Sequence, residues 1–143
     1  IYGDCKTGGV SKDLVSIDWL PRNNGGKVRI TRLNGVDRRL KAVSDELDAL
    51  PQPLIRYLIP SAGTYNCRMI AGTNQPSAHG YGIAIDVNTA FSDYWRWSKS
   101  GWRNRIPPEI VAAFERHGFI WGGKWAHFDT MHFEYRPELI GEK

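Results

Sequence analysis

Apolar and polar positions alternate with a period of two in several stretches of the chain. Val15, Ile17 and Trp19 are separated by Ser16 and Asp18, which predicts one short strand. Lys27 to Thr31 (KVRIT) predicts another, and Asn23-Asn24-Gly25-Gly26 between them reads as a turn. Ile83, Ile85 and Val87 alternate with Ala84 and Asp86, a strand with one apolar face. Met131, Phe133 and Tyr135 alternate with His132 and Glu134, so the last two share the non-core face of a further strand. A helical period governs Val36, Leu40, Val43, Leu47 and Leu50, with Asn34 as the expected cap and Pro51 and Pro53 as the stop. A second helix is predicted from Pro108 to His117. Pro108 suits its first position, Gly118 its exit, and His117 the favourable last turn.

Composition narrows the class. Hydrophobic residues make up 41% and charged residues 24% of 143, which suits one packed domain spanning 1–143 and excludes disorder as a description of the chain. A membrane-crossing helix needs about 20 apolar residues, and the longest unbroken run here is only Ile110 to Phe114. The net charge of +4 favours polyanionic surroundings such as nucleic acid, anionic lipid or cell wall, without choosing among them. The chain starts at Ile1 and carries no leader pattern, as a mature secreted form or a trimmed chain would. Cys5 and Cys67 are the only cysteines. One disulfide would close a loop of about 60 residues and contribute about 4 kcal/mol; the alternative is two separate buried thiols. Residues 94–105 (YWRWSKSGWRNR) interleave aromatic and basic side chains. Such a segment is usually a loop whose tryptophans pack on the core, and otherwise a glycan or nucleic-acid surface.

Two segments concentrate the chemistry. In Ser77 to Val87 (SAHGYGIAIDV), His79 precedes Asp86 by seven residues. On one straight strand the two would point to opposite faces and lie about 23 Å apart. They cooperate only if the chain folds back, which Gly80 and Gly82 allow. In Asp129 to Glu134 (DTMHFE), Asp129 lies an odd three residues before His132. It therefore belongs to a loop before the strand or to a bulge. His79, Asp86 and His132 form the nitrogen and carboxylate set that a catalytic Zn²⁺ uses with one position open for water. Asp129 is then a spare carboxylate for proton transfer, and Glu134 a candidate partner that orients a ligand.

SAHGYGIAID resembles the Ser-x-His-x-x-Gly-x-Ala-x-Asp signature of the D-alanyl-D-alanine carboxypeptidase metallopeptidases. That family includes the vancomycin-resistance D,D-peptidases and the L-alanyl-D-glutamate endopeptidases of phages and bacteria. Gly118 to Trp125 (GFIWGGKW) followed by DTMHFEYRPEL resembles its C-terminal block, so the likeness runs from about Gly63 to Leu139. The resemblance implies a small α+β fold of the Hedgehog and D,D-peptidase type, an antiparallel sheet carrying one zinc ion with helices packed on it. It places the zinc ligands on His79, Asp86 and His132 and the catalytic carboxylate on Asp129. The arginine that steadies the scissile carbonyl or tetrahedral intermediate falls on Arg68. Ser77, Glu134, Tyr81 and His127 remain as substrate-binding or ligand-orienting side chains.

The expected activity is zinc-dependent hydrolysis of amide bonds in peptidoglycan stem peptides, D-alanyl-D-alanine carboxypeptidase first. L-alanyl-D-glutamate endopeptidase and a non-catalytic zinc or cell-wall binding module stay open beside it. The same reading expects a periplasmic or secreted monomer without nucleic-acid partner or membrane insertion. The Cys5–Cys67 bond would place the N-terminus beside Arg68.

Overall fold

A computed structural model describes residues 2–70, 73, 75–96, 98 and 101–140. The first strand pair forms as the alternation predicts. β1 (Leu14–Asp18) pairs antiparallel with β2 (Lys27–Thr31) through the turn at 20–26. That turn is forced by backbone: a Cβ on Gly25 would lie 2.0 Å from the Trp19 carbonyl oxygen. Trp19 itself follows the strand, fully buried, and its indole N–H donates to the Leu58 carbonyl at 3.2 Å.

α1 (Val36–Asp48) buries Val36, Leu40, Val43 and Leu47. Its N-terminal cap is Gly35 at φ 70°, in place of the expected Asn34. Asn34 itself lies at φ 56°, and its side-chain amide donates to the Tyr2 hydroxyl at 3.1 Å rather than serving the helix. After Pro51 comes a single short turn, α2 (Gln52–Ile55). α3 (Pro108–Arg116) runs as predicted up to His117, which, with Arg116, pairs with Glu46 of α1.

The second sheet has the order β3 (Ala84–Asp86), β5 (His132–Tyr135), β4 (Phe119–Trp121), all antiparallel. On one face lie the helices. Phe114 of α3 stacks on Phe133 with ring centroids 3.8 Å apart and planes within 8°. A fully buried Phe of this kind stabilises the fold by about 2 kcal/mol from apolar area alone. The opposite face of β3 and β5 is also covered: Ile83, Ala84 and Ile85 are all buried, as is every residue of β5. The single apolar face expected for 83–87 is therefore replaced by two buried faces. Residues 62–64 pair along the outer edge of β3, through Ala62 N–H to the Asp86 carbonyl (2.8 Å) and Asp86 N–H to the Gly63 carbonyl (3.0 Å). The molecule is an α+β fold built on two small antiparallel sheets. Among the described residues, no helix is long and apolar enough to cross a membrane.

Candidate metal centre

Register brings the first two side chains together. Asp86 of β3 lies directly across from His132 of β5. Residues opposite each other on antiparallel strands carry their side chains on one face, about 5 Å apart. His79 arrives from a tight turn, Ala78–Tyr81, that folds the chain back ahead of β3. Gly82 closes this turn at φ 70°, and a Cβ there would press to 2.8 Å from Leu14. One nitrogen or oxygen from each of His79, Asp86 and His132 then falls within 4.8 Å of the others.

The orientation of the rings indicates which atoms face the common centre. His79 Nδ1 lies 2.6 Å from the Thr64 carbonyl, which can only accept, so Nδ1 carries the hydrogen and Nε2 a lone pair. Nε2 is buried and has no hydrogen-bond partner among the described residues. It stands 3.2 Å from Asp86 Oδ2 but without the geometry of a bond. His132 sits between two carboxylates, with Nδ1 3.0 Å from Asp86 Oδ1 and Nε2 2.8 Å from Glu134 Oε1. Burial alone would lower the His132 pKa, but the hydrogen bonds to Asp86 and Glu134 outweigh it and raise the pKa to about 9. Burial likewise pushes Asp86 up, and His132 and His79 beside it reverse this and hold its pKa at about 2. Two imidazole nitrogens and a carboxylate oxygen, converging with one buried lone pair unused, fit a bound divalent cation.

Asp129 lies outside β5, in the turn that precedes it. Its N–H donates to the Gly122 carbonyl and its own carbonyl accepts from His132 N–H. Gly122 is required here, because a Cβ would lie 2.5 Å from the Asp129 carbonyl oxygen. Burial raises the Asp129 pKa, opposed by the nearby His132. Its Oδ1 is buried without a hydrogen-bond partner among the described residues. Thr130 is buried beside it, tied to Asp93 N–H through its hydroxyl (2.7 Å) and to the Trp121 indole through its carbonyl (2.8 Å).

Arg68 is exposed and lines a cavity of about 150 Å³ with Thr64, Tyr65, Asn66, His79 and Asp86. Among the described residues it pairs with no carboxylate. The disulfide Cys5–Cys67 is formed, with Cα atoms 5.7 Å apart. It packs behind the His79 turn, where a Cβ on Gly80 would come within 3.6 Å of Cys5 Sγ. The bond thus ties the residue preceding Arg68 to the N-terminal segment, which packs beside the turn carrying His79. Reduction with dithiothreitol is expected to lower both melting temperature and activity, since about 4 kcal/mol of loop-closure entropy is lost. Unchanged melting and turnover after verified reduction would contradict this.

The remaining side chains are scattered. Ser77 Oγ is buried and without partner among the described residues, in the His79 loop. Tyr81 is half-buried and packs against the hydrophobic core. His127 is exposed and stacks on Trp95 at 4.0 Å. Trp97, Lys99 and Ser100 lie outside the described residues. Elsewhere in 94–105 the expectation of core-packed tryptophans is corrected: Trp102 is 61% exposed and Trp95 only half-buried. Arg103 and Arg105, both still exposed, pair with the buried Asp93, which neutralises part of the positive charge of this segment. Sequence reasoning missed Thr64, whose contribution is a main-chain carbonyl and leaves no side-chain signal. It also missed Arg136, which carries on the alternation of His132 and Glu134.

A buried His-Asp-His group on a small antiparallel sheet, with a carboxyl and a cavity beside it, is the kind of centre found in metal-dependent hydrolases. A family model described as D-alanyl-D-alanine carboxypeptidase matches residues 71–135, a stretch that holds both motif segments. Over this stretch the chain is similar to that metallopeptidase family, which supports a peptidoglycan-related peptidase.

Proposed function

We propose that the chain is a zinc-dependent D-alanyl-D-alanine carboxypeptidase that trims peptidoglycan stem peptides. The observation that carries this reading is the convergence of His79, Asp86 and His132 within 4.8 Å, with a buried carboxyl next to it and an arginine that pairs with no carboxylate among the described residues. His79 Nε2, an Asp86 oxygen and His132 Nδ1 would hold one Zn²⁺. Zinc held by three protein ligands supplies Lewis acidity that polarises a carbonyl and acidifies water.

The protein groups do the rest. Asp129, desolvated and with no hydrogen-bond partner at Oδ1 among the described residues, takes the proton of the attacking water and returns it to the leaving amine. Arg68, which lines the small polar cavity beside the centre, faces the charge that develops on the scissile oxygen. We read Ser77 and His127 as substrate contacts at the site's edge. Work of this kind occurs outside the cytoplasm, and we read the chain as a periplasmic or secreted monomer acting as one unit.

Mass spectrometry of pentapeptide muropeptides after incubation with the zinc-loaded protein tests the assignment. Loss of one terminal alanine is expected. Cleavage after the first L-alanine would replace the reading with the endopeptidase. No product despite stoichiometric zinc would replace it with a binding module.

A further inference from the structure

The alternation on β5 does not stop at the strand's end. His132, Glu134 and Arg136 follow one another at a spacing of two, so they share a face. The contacts are sequential. Glu134 Oε1 meets His132 Nε2 at 2.8 Å, and Glu134 Oε2 accepts from Arg136 Nε at 2.8 Å. Each carboxylate oxygen thus holds one donor. The Glu134 side chain is 11% exposed, while that of Arg136 reaches solvent at 39%. β5 is the central strand, and Glu134 is flanked across the ladders by Ala84 and Ile120. Neither offers a second cation. The backbone of Arg136 is fixed too, its N–H donating to the Gly118 carbonyl at 3.0 Å.

We propose that Arg136 is a positioning residue for the metal centre: through Glu134 it fixes the His132 ring so that Nδ1 faces Asp86 and the bound cation. The proposal rests on His132 acting as a metal ligand. A carboxylate that grips the far nitrogen of a ligating imidazole sets its orientation and basicity. Such a carboxylate needs its own second oxygen satisfied when it is buried, or it turns to find another partner. Arg136 is what satisfies it, and its half-exposed head avoids the cost of a second buried charge.

Zn²⁺ affinity by chelator competition, and the visible spectrum of the Co²⁺-loaded protein, test this in R136M, E134Q and the double variant. R136M is expected to bind Zn²⁺ about tenfold more weakly, with altered Co²⁺ bands. In the E134Q background the same substitution should cost little further, because its route to His132 is already cut. R136K should recover part of the loss. Wild-type affinity and spectrum in R136M would overturn the proposal. So would an equal loss with Gln at 134, since Arg136 would then act by another path. If R136M melts below the assay temperature, R136Q serves instead, and full affinity there overturns the proposal equally. H132A provides the floor: a wild-type protein that binds no better than H132A refutes the metal reading itself, a different result from either of these.

Discussion

Replacing Asp129 by alanine should reduce turnover by about 10²–10⁴-fold while leaving metal content unchanged. Asp129 is not one of the three converging donors, so the metal set does not need it. Its carboxyl is buried, and Oδ1 has no hydrogen-bond partner among the described residues. Burial holds its pKa above the ordinary 3.8, which means that the folded protein disfavours its charge. The sign for stability follows. An acid whose pKa is raised on folding takes stability away as pH rises past its unfolded value. Asp129→Ala is therefore expected to melt at the same or a higher temperature at pH 7. The pair of readouts separates a catalytic carboxyl from a structural one: activity falls and stability does not. D-alanine release and metal content by mass spectrometry check it. A variant that turns over at the wild-type rate removes Asp129 from the mechanism.

Metal removal should abolish activity, and readdition of Zn²⁺ should restore it. The pH dependence of this exchange is set by His132. Between Asp86 and Glu134 its pKa rises from 6.5 to about 9, so the metal-free chain carries a proton there at neutral pH. That contribution to stability is complete below pH 6.5 and is lost as pH rises through about 9. Asp86 behaves oppositely: its contribution is present above 3.8 and lost as pH falls towards about 2. The melting temperature of the chelator-treated protein should accordingly fall between pH 7 and 9.5. A cation replaces the His132 proton, so the loaded protein should not show this alkaline loss. Binding at pH 7 should release about one proton, and affinity should climb about tenfold per pH unit until near pH 9. Calorimetry in two buffers of different ionisation enthalpy measures the proton. Zn²⁺ binding with no proton release would mean that His132 is already neutral, and would overturn the charge state derived from its two carboxylate partners.

The parts of this fold that were legible in advance are those with local causes. The stripe from Val36 to Leu47 fixed α1, because burial of one helical face needs no knowledge of the partner. Its cap was misread: Asn34 has the chemistry of a cap, but Tyr2, distant in sequence, takes its side chain, and Gly35 supplies the turn. The odd separation of Asp129 from His132 correctly placed the carboxyl in the turn before β5. Tryptophans at 95 and 102 had no such local rule. Their exposure depends on what lies opposite, and Trp102 finds the Gly123 carbonyl for its N–H (2.7 Å) rather than a core to enter.

By itself, the sequence determined the residue types of the centre and the need for a fold-back between His79 and Asp86. Motif spacing and strand alternation are properties of covalent order, readable along one dimension. Only the tertiary structure decided that Asp86 stands across from His132, since register depends on how two segments 46 residues apart meet. It alone supplied the Thr64 carbonyl that leaves the His79 Nε2 lone pair free, and put the Cys5–Cys67 bond, already expected from the two cysteines, behind that turn. It also joined Arg136 to the centre through Glu134. The physical reason is the same in each case: hydrogen-bond direction and burial arise from pairs of atoms in space, and no one-dimensional pattern specifies which pairs form.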